Sequence, residues 1–363
     1  MKIAVFDNLP EGGAKRVVLE QIRYLHQSQH QVIHYTNSVD THFSTRQVAD
    51  TVIPHTIQLS QFHGLLRPLT ELSYIKLAMQ SYVLARKIDA QKCSVCIVHP
   101  CMFTQAPLLL LFLNTPTLYF IEEPLRLMSE RKIFKTHAHG FKMVYEYLRR
   151  KGIALLDKKA CRHATLRVAN SQFTQKNVQH YYSAFCSVLK LGVNTQIFFP
   201  PLKTTTRNYF LWIGARDEIH GYSLLTAALG LLKKIPEIMY VEFQKAKLPL
   251  TDKQLCSLYQ GAYATLCLSH NEPFGLTSVE SQACGTPVIA VAEGGYKETV
   301  VDGITGTLIS RSVNELARAL ELYMENLSRT NQQGAAGVQE VKQNWTWQKH
   351  GIALEKMING MTI

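Results

Sequence analysis

The sequence predicts an α/β protein built as two parallel-sheet domains, and three observations predict it. A succession of strand, glycine turn, helix and strand occurs from Lys2 and a comparable run begins near Tyr209. At 363 residues the chain exceeds what one ordinary core holds. Between the two runs lies a linker-like segment, Asn194 to Asn208, with Pro200-Pro201 and Thr204-Thr205-Thr206.

In the first run Lys2 to Phe6 reads as a buried strand and Glu11-Gly12-Gly13 as the turn. Val18, Ile22 and Leu25 then recur at helical spacing, and Gln31 to Tyr35 is the next strand. Further strands are expected at Ser94–His99, Thr117–Ile121 and Leu166–Ala169, with a long helix over Phe141 to Ala160. In the second run the strand Tyr209 to Ile213 ends in Gly214, and a helix follows from about Ser223 to Lys233. Strands near Met239–Phe243, Ala264–Ser269 and Pro287–Val291 alternate with a helix near Lys253–Ala262 and a loop entering a helix over Glu272–Cys284. Two such domains on one linker leave a cleft in which strand C-terminal ends can face a ligand.

Hydrophobic residues at 46% against 18% charged exclude a disordered chain. The most apolar window, Leu108 to Leu113, is too short to span a bilayer, and Asn114 and Pro116 interrupt its extension to Ile121. The opening Met1 to Asp7 reads as a strand and not as a signal peptide, so the expected location is cytoplasmic. Cys93-x-x-Cys96, with His99 and Cys101 nearby, invites a metal reading. In a strand over Lys92 to Pro100, however, the two thiols would point to opposite faces, and no second Cys-x-x-Cys completes a set. Reduced core thiols and no metal are expected.

The net charge of +12 is unevenly placed. Between Arg126 and His163 eleven Lys and Arg stand against Glu130, Glu146 and Asp157, with Phe134, Phe141, Tyr145 and Tyr147 interleaved. Such a segment attracts phosphates of a substrate or of anionic lipid; a solvated basic helix face is the plainer alternative. No nucleic-acid motif accompanies the charge.

The most informative stretch runs from His270 to Ala290. It reads as a strand, a tight turn and a helix N-terminus, then a second buried strand. Gly275 permits close backbone approach, and the N–H groups around Phe274 to Thr277 form an anion or hydroxyl site. Glu272 and Glu280 flank that turn, and carboxylates suit the vicinal hydroxyls of a sugar. Thr277-x-x-Glu280 also matches a capping box, in which the Glu would only tie back to its own helix, and spacing alone leaves both readings open.

This stretch resembles the Glu-x7-Glu signature of the retaining GT-B glycosyltransferases, particularly glycosyltransferase family 4. The likeness continues through Glu293-Gly294-Gly295, Glu298, Val300, Gly303 and Gly306, which resemble that family's GG-x-x-E-x-V-x-x-G-x-x-G pattern. Gly12-Gly13-Ala14, Leu191-Gly192-Val193-Asn194 and Phe199-Pro200 are further echoes, and Trp345 to Met357 is similar to the helix that crosses back to the first domain. The resemblance implies a GT-B fold, two facing Rossmann-like domains with a cleft between them. It assigns 1–195 to the acceptor, 196–344 to the donor and 345–363 to the returning helix. Glu280 would hold ribose hydroxyls, and Glu272 would lie over the transferred sugar. Backbone at Phe274, Gly275 and Leu276 would contact sugar and diphosphate, Gly294 and Gly295 would border the donor sugar, and Gly13 would close on the diphosphate from the other domain. Transfer would proceed with retention, by front-face substitution in which the leaving phosphate helps take the acceptor proton. No metal or other cofactor is implied, only the nucleotide-sugar.

Three departures qualify that likeness. The family's Arg after the strand-ending glycine is here Ala215, and its Lys five residues later is His220. Arg216 can compensate by a one-residue slip, and His220 can donate to phosphate; otherwise both are ordinary loop residues, with Arg216 paired to Asp217 or Glu218. The stretch between Pro236 and Gln254, which borders the base in relatives, is short, so the base is not legible. A His near the acceptor hydroxyl is replaced by Glu122, which either accepts the proton or pairs with Arg126. The expected activity is therefore hexosyl transfer (EC 2.4) to a glycan or lipid-linked acceptor, with segment 126–163 on an anionic acceptor or the inner membrane surface. The competing expectation is a scaffold subunit that keeps the fold and has lost turnover.

Overall fold

The structure is a computed structural model and describes residues 1–38, 43–60, 69–125, 141–202, 206–242 and 250–361. The chain separates into two compact units. One comprises Met1–Asn170, Thr174–Leu189 and Gly351–Ile363, the other Ser171–Phe173 and Lys190–His350.

The first unit follows the order β1 (Lys2–Asn8), α1 (Gly13–Gln27), β2 (Gln31–Thr36), β3 (Thr51–Pro54), α2 (Leu69–Ala90) and β4 (Val95–Cys101). A 3-10 turn at Leu108–Leu111 precedes β5 (Thr117–Ile121), α3 (Phe141–His163), β6 (Leu166–Ala169), α4 (Gln172–Tyr182) and β7 (Ser187–Val188). The seven strands lie in the order β3-β2-β1-β4-β5-β6-β7, every pairing parallel. Chain order reverses across β1, which has β2 on one side and β4 on the other; this is the switch point at which such sheets open at their C-terminal edge. β1, β4 and β5 are covered on both faces, which is why they read as continuous apolar runs.

The second unit follows β8 (Tyr209–Ile213), α5 (Tyr222–Leu229), β9 (Glu237–Val241), α6 (Asp252–Gln260), β10 (Ala262–Cys267), α7 (Leu276–Ala283) and β11 (Val288–Val291). Then come α8 (Tyr296–Thr299), β12 (Gly306–Ile309), α9 (Val313–Glu325), α10 (Leu327–Asn344) and α11 (Trp347–Asn359), whose residues from Gly351 onward belong to the first unit. The sheet order is β12-β11-β10-β8-β9, again wholly parallel, with its reversal between β8 and β10. α6 starts where its sequence says it should: the Thr251 hydroxyl accepts from the Gln254 N–H, and the Gln254 side chain accepts from the Thr251 N–H, a capping box.

The alternating runs read from sequence are present, with shifted ends. The helix expected to reach Lys233 stops at Leu229, where Gly230 follows, and the helix expected to end at Ala160 continues to His163. The strand around Cys96 begins only at Val95. Cys93 therefore lies outside it, and the two thiols share one core cluster instead of pointing to opposite faces. Among the described residues no group of three His, Cys, Asp or Glu is placed to hold a metal ion, and no helix is long and apolar enough to cross a membrane.

α3 carries a buried carboxylate. Asp157 accepts the Ala106 N–H at 2.6 Å and the Tyr182 hydroxyl, tying α3 to the loop after β4 and to α4. Burial raises its pKa to about 7 against the opposing pull of those two donors. The folded state thus holds a proton there more tightly than the unfolded chain does. The stability this proton contributes is complete below the ordinary carboxylate range and is lost as pH rises through about 7. Asp157→Asn keeps an acceptor and a donor but does not titrate. The thermal midpoint of the variant is expected to trail the parent at pH 5 and to close on it at pH 8; a gap independent of pH would contradict the assignment.

Candidate functional site

The site in the second unit is assembled from three loops at the C-terminal edge of its sheet, those after β8, β10 and β11. The loop after β10 passes His270, Asn271 and Glu272 to reach α7, and the loop after β11 brings in Glu293, Gly294 and Gly295. The two touch backbone to backbone: Gly295 donates to the Glu272 carbonyl at 2.7 Å. A Cβ on Gly294 would stand 2.3 Å from the Glu272 oxygen, and one on Gly295 would stand 2.5 Å from the Phe274 Cα. No side chain fits at either place, and Gly294 moreover has φ of +56°. Phe274 is buried against Trp345, with ring centroids 5.5 Å apart, so its main chain is fixed from the other side as well.

Gly275 is the N-cap of α7 and sits in the left-handed region at φ +92°. The free N–H groups of the first turn, starting at Leu276, end at the same edge as the loops. The capping-box reading of Thr277 and Glu280 is corrected here. The helix begins two residues earlier than that motif needs, and no side chain caps it. Glu280 instead accepts from the hydroxyl of Tyr259, on α6, at 2.8 Å. Tyr259 is fully buried and Glu280 nearly so, which fixes one carboxylate oxygen.

The loop after β8 packs on the same edge. His270 donates its N–H to the Ile219 carbonyl at 2.8 Å, and the His220 ring lies against Gly214, where a Cβ would meet it at 2.9 Å. Gly214, at φ +143°, is thus the seat of that imidazole. His220 Nδ1 bonds Asp217 Oδ1 at 2.6 Å, and the His220 N–H donates to the same oxygen. Partial burial raises the Asp217 pKa, but these bonds outweigh it and hold the carboxyl below its ordinary value. Arg216 is not paired to Asp217 or Glu218, as its plain alternative supposed. Its Nε donates to Glu242 Oε2 at 3.0 Å and its guanidinium lies 4.5 Å over the Tyr240 ring, both beyond reach of local reading because they sit at the end of the neighbouring strand β9.

A second brace is Arg311, which grips Glu293 with Nε and Nη2 at 2.9 and 2.6 Å and donates to the carbonyls of Leu268 and Ser269. Although partial burial works the other way, this fork keeps the Glu293 carboxyl below its usual range. One cation so ties the loop after β10 to the loop after β11. Neither Tyr259 nor Arg311 was legible as a site residue. Tyr259 precedes Glu280 by 21 positions and Arg311 follows Glu293 by 18, so no local motif joins them.

In the first unit Gly12 is the N-cap of α1, Gly13 its first residue, and nothing stands within 4 Å of a Cβ built on Gly12. Two residues on, Lys15 is buried and donates to Asp7, to the Thr36 hydroxyl at 2.7 Å and to Asn37. Asp7 also bonds His34 Nε2 at 2.6 Å, and His34 Nδ1 meets Thr45 at 2.6 Å. Complete burial alone would raise the Asp7 pKa; His34 and Lys15 overcome it and hold the carboxyl far below the usual range. This charged knot pins the glycine loop to the ends of β1 and β2, and sequence reading missed it. Glu122 follows β5 directly, half-buried, and its carbonyl accepts the Thr174 hydroxyl at 3.1 Å. Its expected partner Arg126, like residues 126–140 of the basic segment, lies outside the described residues.

Comparison with known proteins adds a family to this geometry. A model described as Glycosyltransferase Family 4 matches residues 11–197, and one described as Glycosyl transferases group 1 matches 244–339. The D-inositol 3-phosphate glycosyltransferase of Corynebacterium diphtheriae is 35% identical over 145 residues, 40% of this chain and 32% of that protein. Its counterpart in Mycobacterium bovis is 46% identical over 74 residues, 20% of this chain and 15% of that protein. The chain thus matches a third or less of the length of these two relatives. Among solved structures, HepE of Anabaena in complex with UDP and glucose aligns over 99% of this chain and 100% of its own at a TM-score of 0.74 and 16% identity. Sucrose-phosphate synthase from Thermosynechococcus elongatus aligns over 99% and 98% at 0.74 and 15%. Both show the fold, which is GT-B.

Gly294→Ala tests whether the backbone contact is obligatory. The added methyl meets main chain at Glu272 and an unfavourable φ together, so a stability loss of about 1–3 kcal/mol is expected from thermal unfolding. An unchanged midpoint would show that the two loops can separate at no cost.

Proposed function

Because the chain belongs to glycosyltransferase family 4, we propose that it transfers a sugar from a nucleoside-diphosphate sugar to a glycan or lipid-linked acceptor, with retention of anomeric configuration. The observation that carries this reading is the loop pair locked by Gly294 and Gly295 beside the N-terminus of α7, with Glu280 held in place by Tyr259. Glu280 takes the ribose hydroxyls. Glu272 orients the transferred sugar, and the main chain of Phe274, Gly275 and Leu276 meets sugar and diphosphate.

Charge on the leaving diphosphate is met by the helix N-terminus, Arg216 and His220, with no metal required. The acceptor hydroxyl attacks the anomeric carbon from the face the leaving group departs. The new C–O bond forms as the bond to the diphosphate breaks, and the departing phosphate oxygen takes the hydroxyl proton, so Glu122 has an orienting role on the acceptor side. Gly13, at the start of α1, is the first unit's candidate for a diphosphate contact. UDP is the first nucleotide to test, since structures of HepE hold UDP and UDP-glucose.

A second reading has its own support. Arg216 and His220, the two side chains assigned to the diphosphate, are each bonded to a carboxylate, and Ala215 offers no charge. On that reading the chain is a scaffold subunit. Calorimetric titration with UDP, GDP and ADP, without divalent metal, separates the two. One nucleotide is expected to bind, and Glu280→Ala is expected to weaken it about ten- to a hundredfold, since a charged hydrogen-bond pair contributes about 1.5–3 kcal/mol. No binding by folded parent protein would favour the scaffold.

The proposed workplace is the cytoplasm, at the inner membrane face. α3 carries Val144, Leu148 and Leu155 largely exposed among Arg149, Arg150, Lys151, Lys158 and Lys159. α2 buries Leu77, Leu84 and Ile88 on one face and exposes Leu72, Ile75, Met79 and Val83 on the other. Such apolar and cationic surface suits lipid headgroups. Co-sedimentation with liposomes is expected to rise with anionic lipid and fall with salt; indifference to both would remove the membrane from this proposal.

A further inference from the structure

Two cross-links of different chemistry join α6 to α7, one turn apart. The first is the Tyr259 to Glu280 hydrogen bond. The second lies at Cys256, three residues before Tyr259, whose Sγ is 3.7 Å from the Sγ of Cys284, four residues after Glu280. Cys256 also lies 3.8 Å from the Phe199 carbonyl and receives the Gln260 amide at 3.4 Å, so its thiol has a fixed place.

We propose that Cys256 and Cys284 are a reversible oxidation site, whose disulfide ties α6 to α7 and displaces the Tyr259–Glu280 pair. The effect on ligand rests on the donor reading given above; the bond itself does not. A disulfide needs the sulfurs at about 2.05 Å, so oxidation draws them together by about 1.7 Å. The two rungs share the same helices, and the rung at 2.8 Å has no slack to absorb that approach.

The eight cysteines are all free and buried, yet they are not equivalent. Burial pushes the thiols of Cys93, Cys96, Cys101, Cys161, Cys186 and Cys267 upward. Cys256 alone moves down, to about 7, because the hydrogen bond with Cys284 stabilises its thiolate against burial. Cys284 is pushed up by burial first and by Cys256 second. Cys256 is therefore the attacking sulfur and Cys284 the resolving one.

With a peroxide as oxidant, the Cys256 thiolate attacks one oxygen. An S–O bond forms, the O–O bond breaks, and the released hydroxide takes a proton to become water. Cys284 then attacks the Cys256 sulfenic sulfur; the S–S bond forms and the S–O bond breaks. The departing hydroxide takes the Cys284 proton, giving a second water. Two electrons pass from the thiol pair to one peroxide. A dithiol reverses the bond by exchange.

The test uses the full chain treated with hydrogen peroxide under native conditions, followed by peptide mapping and nucleotide titration. A 256–284 link is expected, with nucleotide affinity reduced about tenfold and restored by dithiothreitol. Cys256→Ser and Cys284→Ser should bind nucleotide as the parent does and ignore peroxide. Absence of that link while other thiols oxidise overturns the site. A link that leaves affinity unchanged overturns its coupling to Glu280. Should the reduced parent bind no nucleotide, the donor reading fails, and the mapped link with its shift in thermal midpoint still decides the oxidation site.

Discussion

The candidate donor site depends on a contact between main chains. Gly294 and Gly295 lie so close to Glu272 and Phe274 that no other residue type fits, and the Gly295 N–H closes the contact with a hydrogen bond. The candidate residues at that edge are positioned from this point. Glu272 is part of the contacted loop. Gly275 leaves it in the left-handed region to start α7, and Glu280 sits one turn along that helix. Arg311 then fastens the outer ends of both loops through Glu293 and the carbonyls of Leu268 and Ser269. Packing between backbones tolerates less drift than packing between side chains, because there is no rotamer to give way.

The two parallel sheets were legible because strands covered on both faces carry unbroken apolar runs, and Gly214 marks where a strand turns into a loop and Gly275 where a loop turns into a helix. Helix ends were less so. Gly230 closed α5 before its apolar pattern ran out, and Cys93 fell outside the strand expected over Lys92 to Pro100. At the site, the motif glycines and the two glutamates could be named, since each announces itself within a few residues. Their supports could not. Tyr259 beneath Glu280, Glu242 beside Arg216 and the Asp7–Lys15–His34 knot are pairings across elements, and a linear pattern has no term for them.

Both units use charge to hold a glycine turn, by different means. In the first, Lys15 and His34 converge on a carboxylate whose pKa burial alone would raise. In the second, a single guanidinium spans two loops at the rim, where solvent softens the electrostatic cost. The first arrangement ties the loop to the strands beneath it; the second ties one loop to another. Rigidity is thus placed in the main chain of these loops, while the Arg216 side chain is exposed and that of His220 partly so.

The last helix gives the first unit an unusual order of completion. Tyr24 and His30 meet Glu355, and Gly351 leaves room for the Tyr24 ring, although these partners are 325 and more positions apart in the chain. During synthesis the N-terminal sheet therefore emerges long before the residues that cover α1. The nascent first unit must stay soluble with that surface bare while the whole second unit is made. Its completion waits on residues made after the second unit and not on its own sheet.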